Sequence, residues 1–460
     1  MNVRSSRTAA LAIAIISVAG LAACSDSDDA AGGSGSGDVV QITVADLPPS
    51  TEEARREQFL DKVAAFEAEN PDIDIEPAEG KWEANTFAAR LASGELETVF
   101  RVPLTEPQAL IARGQVADIT DEAADLPHFD TVDERALAPV QDESGRLFGI
   151  PTDLYAMGLL YNRELFTQAG LDPDDPPATW DDVRAAARQI AERTGVPGFA
   201  FPTINNTGGW VFTSMVYSFG GRLQDDDGDE VSSTLTDDPA VEALELLKAM
   251  RWDDQSMGTQ HLSEALEVVK AFAAGQVGMV IGLPSQYRDY AVQYSGSPEA
   301  FGVTALPTGS EPSTLLSGAV MMVSPKASDE QRAAAVKWID FNYLRSKHDA
   351  DIAGEGAAAQ AADGLPVGIP KVPFYGDEVV AAVLAAESGH VNVPLENFQP
   401  FVDRLEGQEF VPEPRVAAQE VYGALDSALQ AVLTQQDADP AAELAAADDK
   451  ARAAIDRAQR

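Results

Sequence analysis

One stretch of the sequence places polar and aromatic side chains where an α/β protein binds its ligands. It runs from Ala271 to Lys326 and contains the short apolar segment Val277–Ile281, which predicts a strand. The turn Gly282-Leu283-Pro284 follows this strand and leads directly to Gln286 and Tyr287. A strand that ends in a glycine turn presents polar groups at a crevice. Gln286 and Tyr287 are therefore candidate ligand-binding residues, able to offer hydrogen bonds and a ring surface.

Motifs that would indicate catalysis are missing or incomplete. The sequence has no G-x-x-x-x-G-K-[ST] loop, no G-x-S-x-G turn and no pair of histidines with zinc-site spacing. The run Asp225–Gly228 is similar to a calcium loop, but Leu223 and Thr234 stand where that loop requires acids. We therefore predict no enzyme, no metal and no cofactor. A glycoside hydrolase stays open as an alternative, because any two of 75 acidic residues could form its carboxylate pair.

The start of the chain has the features of a secretory signal. Arg4 and Arg7 precede an apolar run from Ala9 to Ala23, which is shorter than a membrane-spanning helix usually is. The run ends in Leu21-Ala22-Ala23-Cys24, which resembles a bacterial lipobox. That resemblance implies a signal peptide over 1–23 and a lipoprotein whose Cys24 carries the acyl chains, palmitate included. An ordinary signal peptide followed by a chance cysteine is the alternative.

The composition of the mature chain limits its class and its partners. Cys24 is the only cysteine in 460 residues, so the fold does not depend on disulfides. Residues 24–37 are mostly Gly, Ser and Asp and are expected to form a flexible tether. With 32 basic and 75 acidic residues, the net charge of −43 argues against nucleic acid or an anionic membrane surface as a partner. The length is sufficient for two domains.

Predicted helices and strands alternate along the remaining sequence. Capping boxes are predicted at Ser50–Glu53 and Ser328–Gln331, and Thr179–Asp182 is predicted to begin a helix. Apolar residues at helical spacing follow each of them, as Phe59, Val63 and Phe66 follow the first box. This alternation predicts βαβ units and mostly parallel sheets. The acidic run Asp225–Glu230 is expected at the tip of a hairpin, because the strand-like segment Val231–Leu235 follows it.

Several segments together resemble one family, the extracytoplasmic solute-binding proteins of sugar importers driven by ATP hydrolysis, of the maltose-binding-protein-like kind. That family has a strand and turn of the form G-x-x-A-M-x-x-x-G-P, then G-V-x-x-L-P-x-G and a G-G pair. It also has a crossing of the form Y-G-I-P … L-x-Y-N-K-x-L-F and a T-W-D-E helix start. The corresponding segments here are Gly275–Pro284, Phe301–Pro307, Ser317-Gly318, Phe148–Tyr155, Leu160–Phe166 and Thr179–Asp182.

The resemblance implies an α/β protein with the two-lobe periplasmic-binding-protein fold. Mixed, mostly parallel sheets flanked by helices would form each lobe, and a ligand would lie in the cleft between the lobes. Residues 38–152 plus 303–343 would form lobe 1, and residues 157–300 plus 346–460 would form lobe 2. The two crossings of the chain between the lobes would act as a hinge that closes on the ligand.

The same resemblance implies which residues line the cleft. A neutral sugar needs hydrogen-bonding side chains for its hydroxyls and aromatic rings for its flat faces. The candidates are Arg101, Thr105, Glu106, Asp153, Tyr155, Trp210, Gln286, Tyr287, Ser317 and Gly318, together with Trp82 and Asn85. Alternatives stay open for four of them. Trp210 could be a core residue, Asp153 and Tyr155 could form hinge hydrogen bonds, and Trp82 could anchor its own helix.

The function implied by the resemblance is transport rather than catalysis. A monomer anchored to the outer side of the bacterial cell membrane would bind a mono- or oligosaccharide. It would deliver this sugar to two membrane permease subunits served by a separate ATPase. A polyol or glycerol phosphate is the alternative ligand, although Arg101 is the only basic residue among the candidates.

Overall fold

The computed structural model describes residues 39–80, 82–226 and 230–459. Cys24, the signal peptide and the tether lie outside the described residues, so the interpretation of this segment remains a prediction. The strands are β1 Val40–Val44, β2 Ile73–Pro77, β3 Val99–Pro103, β4 Gly149–Ala156, β5 Gly158–Asn162, β6 Phe199–Ala200, β7 Gln224–Asp226, β8 Val231–Ser233, β9 Met279–Gly282, β10 Phe301–Ala305, β11 Ser313–Val323 and β12 Glu409–Pro412.

Helices separate most of these strands, as the sequence predicted. They are α1 Glu53–Glu69, α2 Ala84–Ser93, α3 Pro107–Ala112, α4 Thr120–Ala124, α5 Glu134–Leu137, α6 Arg163–Ala169, α7 Trp180–Thr194, α8 Thr207–Ser218, α9 Asp238–Trp252, α10 Ala265–Ala273, α11 Asp329–Ile339, α12 Arg345–His348, α13 Ala350–Ala362, α14 Asp377–Glu387, α15 Gln399–Leu405, α16 Ala418–Thr434 and α17 Pro440–Ala458. Within the described ranges, none of the helices has both the length and the apolar character needed to cross a bilayer.

Two mixed sheets form the framework. The first has the order β12-β11-β3-β1-β2, with β4 paired to β11. The second has the order β10-β5-β9-β6, and β7 and β8 pair as a hairpin. Of the acidic run predicted at its tip, Asp225 and Asp226 belong to β7, and residues 227–229 lie outside the described residues. The mixed α/β class is confirmed.

The sheets are less parallel than the sequence predicted. Strand pairs β1–β2, β1–β3, β11–β12 and β6–β9 are parallel, and the other five pairs are antiparallel. The reason lies in the path of the chain, which passes between the sheets after β4 and returns after β10. The outgoing and returning segments run in opposite directions, so β4 pairs antiparallel with β11 and β5 pairs antiparallel with β10.

Apolar residues bury these sheets from both faces. In α1, Phe59, Val63 and Phe66 are buried at the spacing that the sequence predicted. The ring of Phe66 meets the Trp338 ring edge-on at 5.4 Å between centroids, which joins α1 to α11. A separate cluster packs α7, α8, α9, α16 and α17 beside the second sheet. A third cluster contains the aromatic residues that follow β9.

Of the two predicted capping boxes, the one at Ser328–Gln331 is confirmed at the start of α11 and the one at Ser50–Glu53 is wrong. The predicted helix start at Thr179–Asp182 is also confirmed, and the structure shows a capping box there, at the start of α7. Helix α1 instead begins at Glu53, and its N-cap Glu52 forms no side-chain capping hydrogen bond. The Glu52 amide bonds to the Pro49 carbonyl at 2.9 Å. A turn at this position therefore replaces the first helical residues that the capping box predicted.

Candidate functional site

A cavity of about 1270 Å³ lies in the described part of the chain. One wall comes from α2, α3 and the loop before β4, which pack on the first sheet. The other wall comes from the residues that follow β12 and from the start of α16, next to the cluster at the second sheet. The two walls are formed by Trp82, Phe87, Thr105, Glu106, Ile111, Arg113 and Phe148 on one side and by Asn206, Arg415, Val416, Gln419 and Glu420 on the other.

Three predicted site residues line this cavity directly. Thr105 and Glu106 lie just after β3, where the strand ends, and Trp82 precedes α2. Burial, followed by the charge of Glu420 on the facing wall, raises the pKa of the Glu106 carboxyl. The Trp82 indole N–H is buried and has no hydrogen-bond partner among the described residues. Asn85 belongs to α2, and its contact with a ligand remains a prediction.

Three further predicted residues form a hydrogen-bonded cluster with Glu413, next to the lining residue Glu106, whose charge acts on the Glu413 carboxyl. The rings of Tyr155 and Trp210 meet edge-to-face, with centroids 6.4 Å apart and an angle of 89°. Ser317 Oγ lies 3.2 Å from Tyr155 Oη. Glu413 Oε1 accepts hydrogen bonds from Trp210 Nε1, at 3.2 Å, and from Ser317 Oγ. We call these four residues the Trp210 cluster.

The backbone around the cluster explains why these side chains meet. Tyr155 is near the end of β4 and Ser317 is opposite it on β11, in direct register. Gly318 follows Ser317, and a Cβ atom at Gly318 would lie 2.1 Å from the Asp153 carbonyl oxygen. Only glycine therefore allows β11 to approach β4 this closely.

Comparison with known proteins identifies the molecule at the level of a family. The sequence of residues 50–343 matches the family model of the bacterial extracellular solute-binding proteins. The chain belongs to this family. The structure of the cyclic alpha-maltosyl-1,6-maltose binding protein from Arthrobacter globiformis is similar, with a TM-score of 0.68 and 22% identity. The similarity covers 91% of this chain and 99% of that one.

Two further relatives differ in the ligands that their names give. UgpB from Mycobacterium tuberculosis, solved in complex with glycerophosphocholine, has a TM-score of 0.68 at 16% identity, over 92% of this chain and 100% of its own. The arabinooligosaccharide-binding protein of Bacillus subtilis (strain 168) is 28% identical over 191 residues, which are 40% of this chain and 42% of that protein. The two solved structures support the two-lobe α/β fold of this solute-binding protein.

Arg101 and Asp153 form an ion pair in this solute-binding protein. Arg101 on β3 contacts Asp153 on β4 at 2.5 Å and Asp46 at 3.4 Å, and Asp46 also accepts a hydrogen bond from Tyr343. Burial lowers the pKa of the Arg101 guanidinium, but the charges of Asp153 and Asp46 outweigh it, so the pKa is raised overall. Two carboxylates thus balance the positive charge of Arg101, the one basic residue among the candidates that could bind an anionic ligand.

Gln286 and Tyr287 have structural contacts that the sequence analysis did not foresee. Gln286 Oε1 accepts the Leu283 backbone N–H at 2.8 Å and so closes the turn after β9. The Tyr287 side chain is only 3% exposed and packs edge-on against Phe301 and Phe398. Helical residues follow β9 here, as a 3-10 turn over Pro284–Gln286 and a π-helix over Asp289–Gln293. The structure therefore does not bring this pair into the Trp210 cluster or the cavity.

Glu413 is the member of the cluster that the sequence analysis missed. It is one of 75 acidic residues and belongs to none of the motifs considered. Its side chain is half-buried just after β12, where burial raises the pKa of its carboxyl to about 7, against the opposing effect of the Ser317 and Trp210 hydrogen bonds. Among the described residues, no group of three or more His, Cys, Asp or Glu side chains could hold a metal ion.

The position of Trp210 depends on a buried carboxylate in a helix that is far away in the sequence. Asp426 on α16 accepts the backbone N–H groups of Asn206, at 2.7 Å, and Gly209, at 2.8 Å. These amides lie at the start of α8, where the first N–H groups lack partners within the helix. Asp426 therefore caps the helix that carries Trp210, although more than two hundred residues separate them.

We expect Asp426→Ala to lower the free energy of unfolding by about 2 kcal/mol, because it leaves buried amides without an acceptor. Asp426→Asn should lower it less, since an amide oxygen can still accept one of these bonds. Denaturant titration of both variants measures this difference. Equal stability of the alanine variant and the unaltered protein would contradict the capping role.

Proposed function

We propose that this chain is a lipid-anchored receptor that captures a neutral mono- or oligosaccharide outside the cell membrane and delivers it to an ATP-driven importer. The observation that carries the proposal is the Trp210 cluster, which combines two aromatic rings with a carboxylate and a hydroxyl next to Glu106, a residue that lines a large cavity. Rings that stack on sugar faces and oxygen atoms that bind hydroxyls are the groups that carbohydrate recognition requires. The protein would act as a monomer and without catalysis.

The charge around the cavity favours a neutral ligand over a phosphate ester. Four acidic residues line the cavity, Glu106, Asp142, Glu143 and Glu420, against the two basic residues Arg113 and Arg415. Arg415 is already paired with Asp226 at 2.9 Å. An anionic ligand would meet net negative charge there, and the attraction it needs from unpaired basic side chains would be weak. The names of the relatives include both sugars and a phosphate ester as ligands. Glycerol phosphate or a polyol is therefore the alternative ligand.

We further propose the two-lobe organisation that the resemblance implied, with residues 38–152 plus 303–343 in one lobe and 157–300 plus 346–460 in the other. We move one of these boundaries: because β10 pairs with β5 in the second sheet, residues 303–305 would belong to the other lobe and the return crossing would follow Ala305. The cavity would then lie between the lobes, and ligand binding would close them.

Calorimetric titration of the purified protein with a panel of sugars tests the proposal. The panel should contain maltose, maltooligosaccharides and arabinooligosaccharides, with glycerol, glycerol 3-phosphate and glycerophosphocholine as the competing class. Saturable binding of a neutral sugar supports the proposal, and binding of the phosphate esters alone contradicts it. Product analysis of the same mixtures tests the hydrolase alternative, because a hydrolase would release shorter sugars whereas a receptor returns its ligand unchanged.

The lipid anchor forms a separate part of the proposal, based on Leu21-Ala22-Ala23-Cys24. We expect Cys24→Ser to abolish acylation, since the thiol is the only group in the chain that can form the thioether of a lipoprotein. The measurements are partition into detergent and the mass of the mature N-terminus. Unaltered protein that stays in the aqueous phase and carries no acyl mass would contradict the anchor.

A further inference from the structure

We propose that Glu413 is the residue that determines how the Trp210 and Tyr155 rings are presented to a sugar, and that it also binds one sugar hydroxyl. This inference rests on the proposed function and adds a specific residue and a specific contact to it. The first part concerns the protein alone and can be tested without any ligand.

The geometry divides the two carboxylate oxygens of Glu413 between two roles. Oε1 accepts both hydrogen bonds of the cluster, from Trp210 Nε1 and from Ser317 Oγ. Oε2 has no hydrogen-bond donor among the described residues, and the side chain is only half-buried. Both hydrogen bonds within the protein therefore use Oε1, whereas Oε2 can accept a hydrogen bond from a ligand hydroxyl.

A chain of donors connects Glu413 to both aromatic rings. The Ser317 hydroxyl has one proton, so when this proton is donated to Glu413, Ser317 Oγ becomes the acceptor for Tyr155 Oη, 3.2 Å away. Burial, followed by the negative charge of Glu413, raises the pKa of Tyr155 to about 12, so its hydroxyl keeps the proton that it donates. Glu413 thus holds Trp210 directly and Tyr155 through Ser317.

The elements around Glu413 contribute the other titratable groups that face it. These are Glu106 after β3, Tyr155 on β4, Tyr217 on α8 and Tyr422 on α16. Burial and the Glu413 charge raise the pKa values of Tyr217 and Tyr422 above the usual range, so neither changes charge near neutrality. Glu106 is the one neighbour whose own titration requires a control, because burial raises its pKa as well.

If Glu413 positions Trp210, ionisation of the Glu413 carboxyl should change the fluorescence of the Trp210 indole. Ionised Glu413 accepts from the indole N–H more strongly than neutral Glu413 does. Trp210 emission, obtained as the difference between the unaltered protein and Trp210→Phe, should therefore change with a midpoint near pH 7, the raised pKa of Glu413. Glu413→Gln should abolish this transition. Glu409→Gln, a matched change on β12 at an exposed residue paired with Arg222, should leave it unaltered.

Two further variants separate Glu413 from its neighbours. Ser317→Ala removes a hydrogen bond that stabilises the ionised carboxylate, so the midpoint should move to higher pH. Glu106→Gln removes a neighbouring negative charge, so the midpoint should move to lower pH while the transition remains. If Glu413→Gln does not fold, these two opposite shifts still test the proposal. Unchanged midpoints in both variants, or a transition that persists in folded Glu413→Gln, would overturn it.

The ligand contact is tested with a sugar that binds in the calorimetric panel. A hydroxyl bonded to ionised Oε2 should bind more tightly than one bonded to the neutral acid. The apparent Kd should therefore rise about five- to tenfold between about pH 8 and about pH 5.5. In Glu413→Gln the Kd should be higher than in the unaltered protein and independent of pH over this range. An equally steep pH dependence in both proteins would overturn the hydroxyl contact.

The two experiments distinguish failure of this inference from failure of the proposed function. A Trp210 transition that Glu413→Gln abolishes supports the positioning role whether or not any sugar binds. A panel without a binding sugar contradicts both the proposed function and the hydroxyl contact. Sugar binding with no Trp210 transition leaves the receptor function standing and overturns the positioning role.

Discussion

Replacing Trp210 with alanine should weaken sugar binding by about thirtyfold or more, which corresponds to about 2 kcal/mol. The indole is half-buried, packs partly on the core and offers the rest of its surface beside Tyr155. Its removal takes away the stacking surface and leaves the Glu413 carboxylate without one of its two donors. Trp210→Phe keeps a flat ring and should lose much less affinity. Calorimetry with the sugar that binds in the panel measures both variants.

A second tryptophan provides the matched control for this experiment. Trp252 is also half-buried, and its indole donates to the Val432 carbonyl at 2.9 Å, away from the cavity. Trp252→Ala should lower the free energy of unfolding by about 1–2 kcal/mol and leave sugar affinity unchanged. If Trp210 were only a core residue, its alanine variant would show the same pattern. Lower stability with unaltered affinity in Trp210→Ala would therefore exclude the stacking role.

Gly318→Ala should lower the free energy of unfolding by about 3 kcal/mol and weaken ligand binding at the same time. The added Cβ would lie 2.1 Å from the Asp153 carbonyl oxygen, a backbone atom that cannot move without separating β11 from β4. Separation of these strands would also displace Ser317 from Tyr155. Denaturant titration measures the stability, and calorimetry measures the affinity.

Gly356→Ala is the corresponding control, because it adds the same methyl group where there is room for it. Gly356 lies within α13, and a Cβ there would meet no other atom within 4 Å. Alanine is the better helix former, so this variant should be more stable by about 0.5–1 kcal/mol and bind as before. A similar loss of stability in both variants would mean that the close approach of β11 and β4 is not the cause.

Elements that depend on nearby residues could be predicted from the sequence. The Ser328–Gln331 box lies within four residues, and the structure shows both of its hydrogen bonds. The apolar face of α1 follows from helical periodicity alone, and its three predicted residues are buried. The box predicted at Ser50–Glu53 does not form, because the Glu52 amide bonds to the Pro49 carbonyl in a turn. The pattern of side chains did not indicate this competing backbone hydrogen bond. Local signals of this kind specify an element but not every boundary.

Candidate site residues were harder to predict, because a polar or aromatic residue type does not reveal what surrounds it. Tyr287 follows a glycine turn, as a ligand-binding residue would, but its ring fills a gap between Phe301 and Phe398. Trp210, Tyr155 and Ser317 do meet, and the residue that joins them, Glu413, was not foreseen. Carboxylates are common in this acidic chain, so Glu413 is distinguished only by its neighbours and its burial.

The sequence by itself determined the family, the alternation of helices and strands, and the local caps and buried faces. These depend on spacings within one segment, where neighbouring residues interact whatever the rest of the chain does. The tertiary structure alone decided the mixed pairing of the sheets, the capping of α8 by Asp426 and the assembly of Glu413 with Trp210 and Ser317. Each of these contacts joins residues far apart in the chain, and the direction in which the chain crosses between the sheets determines which of them meet.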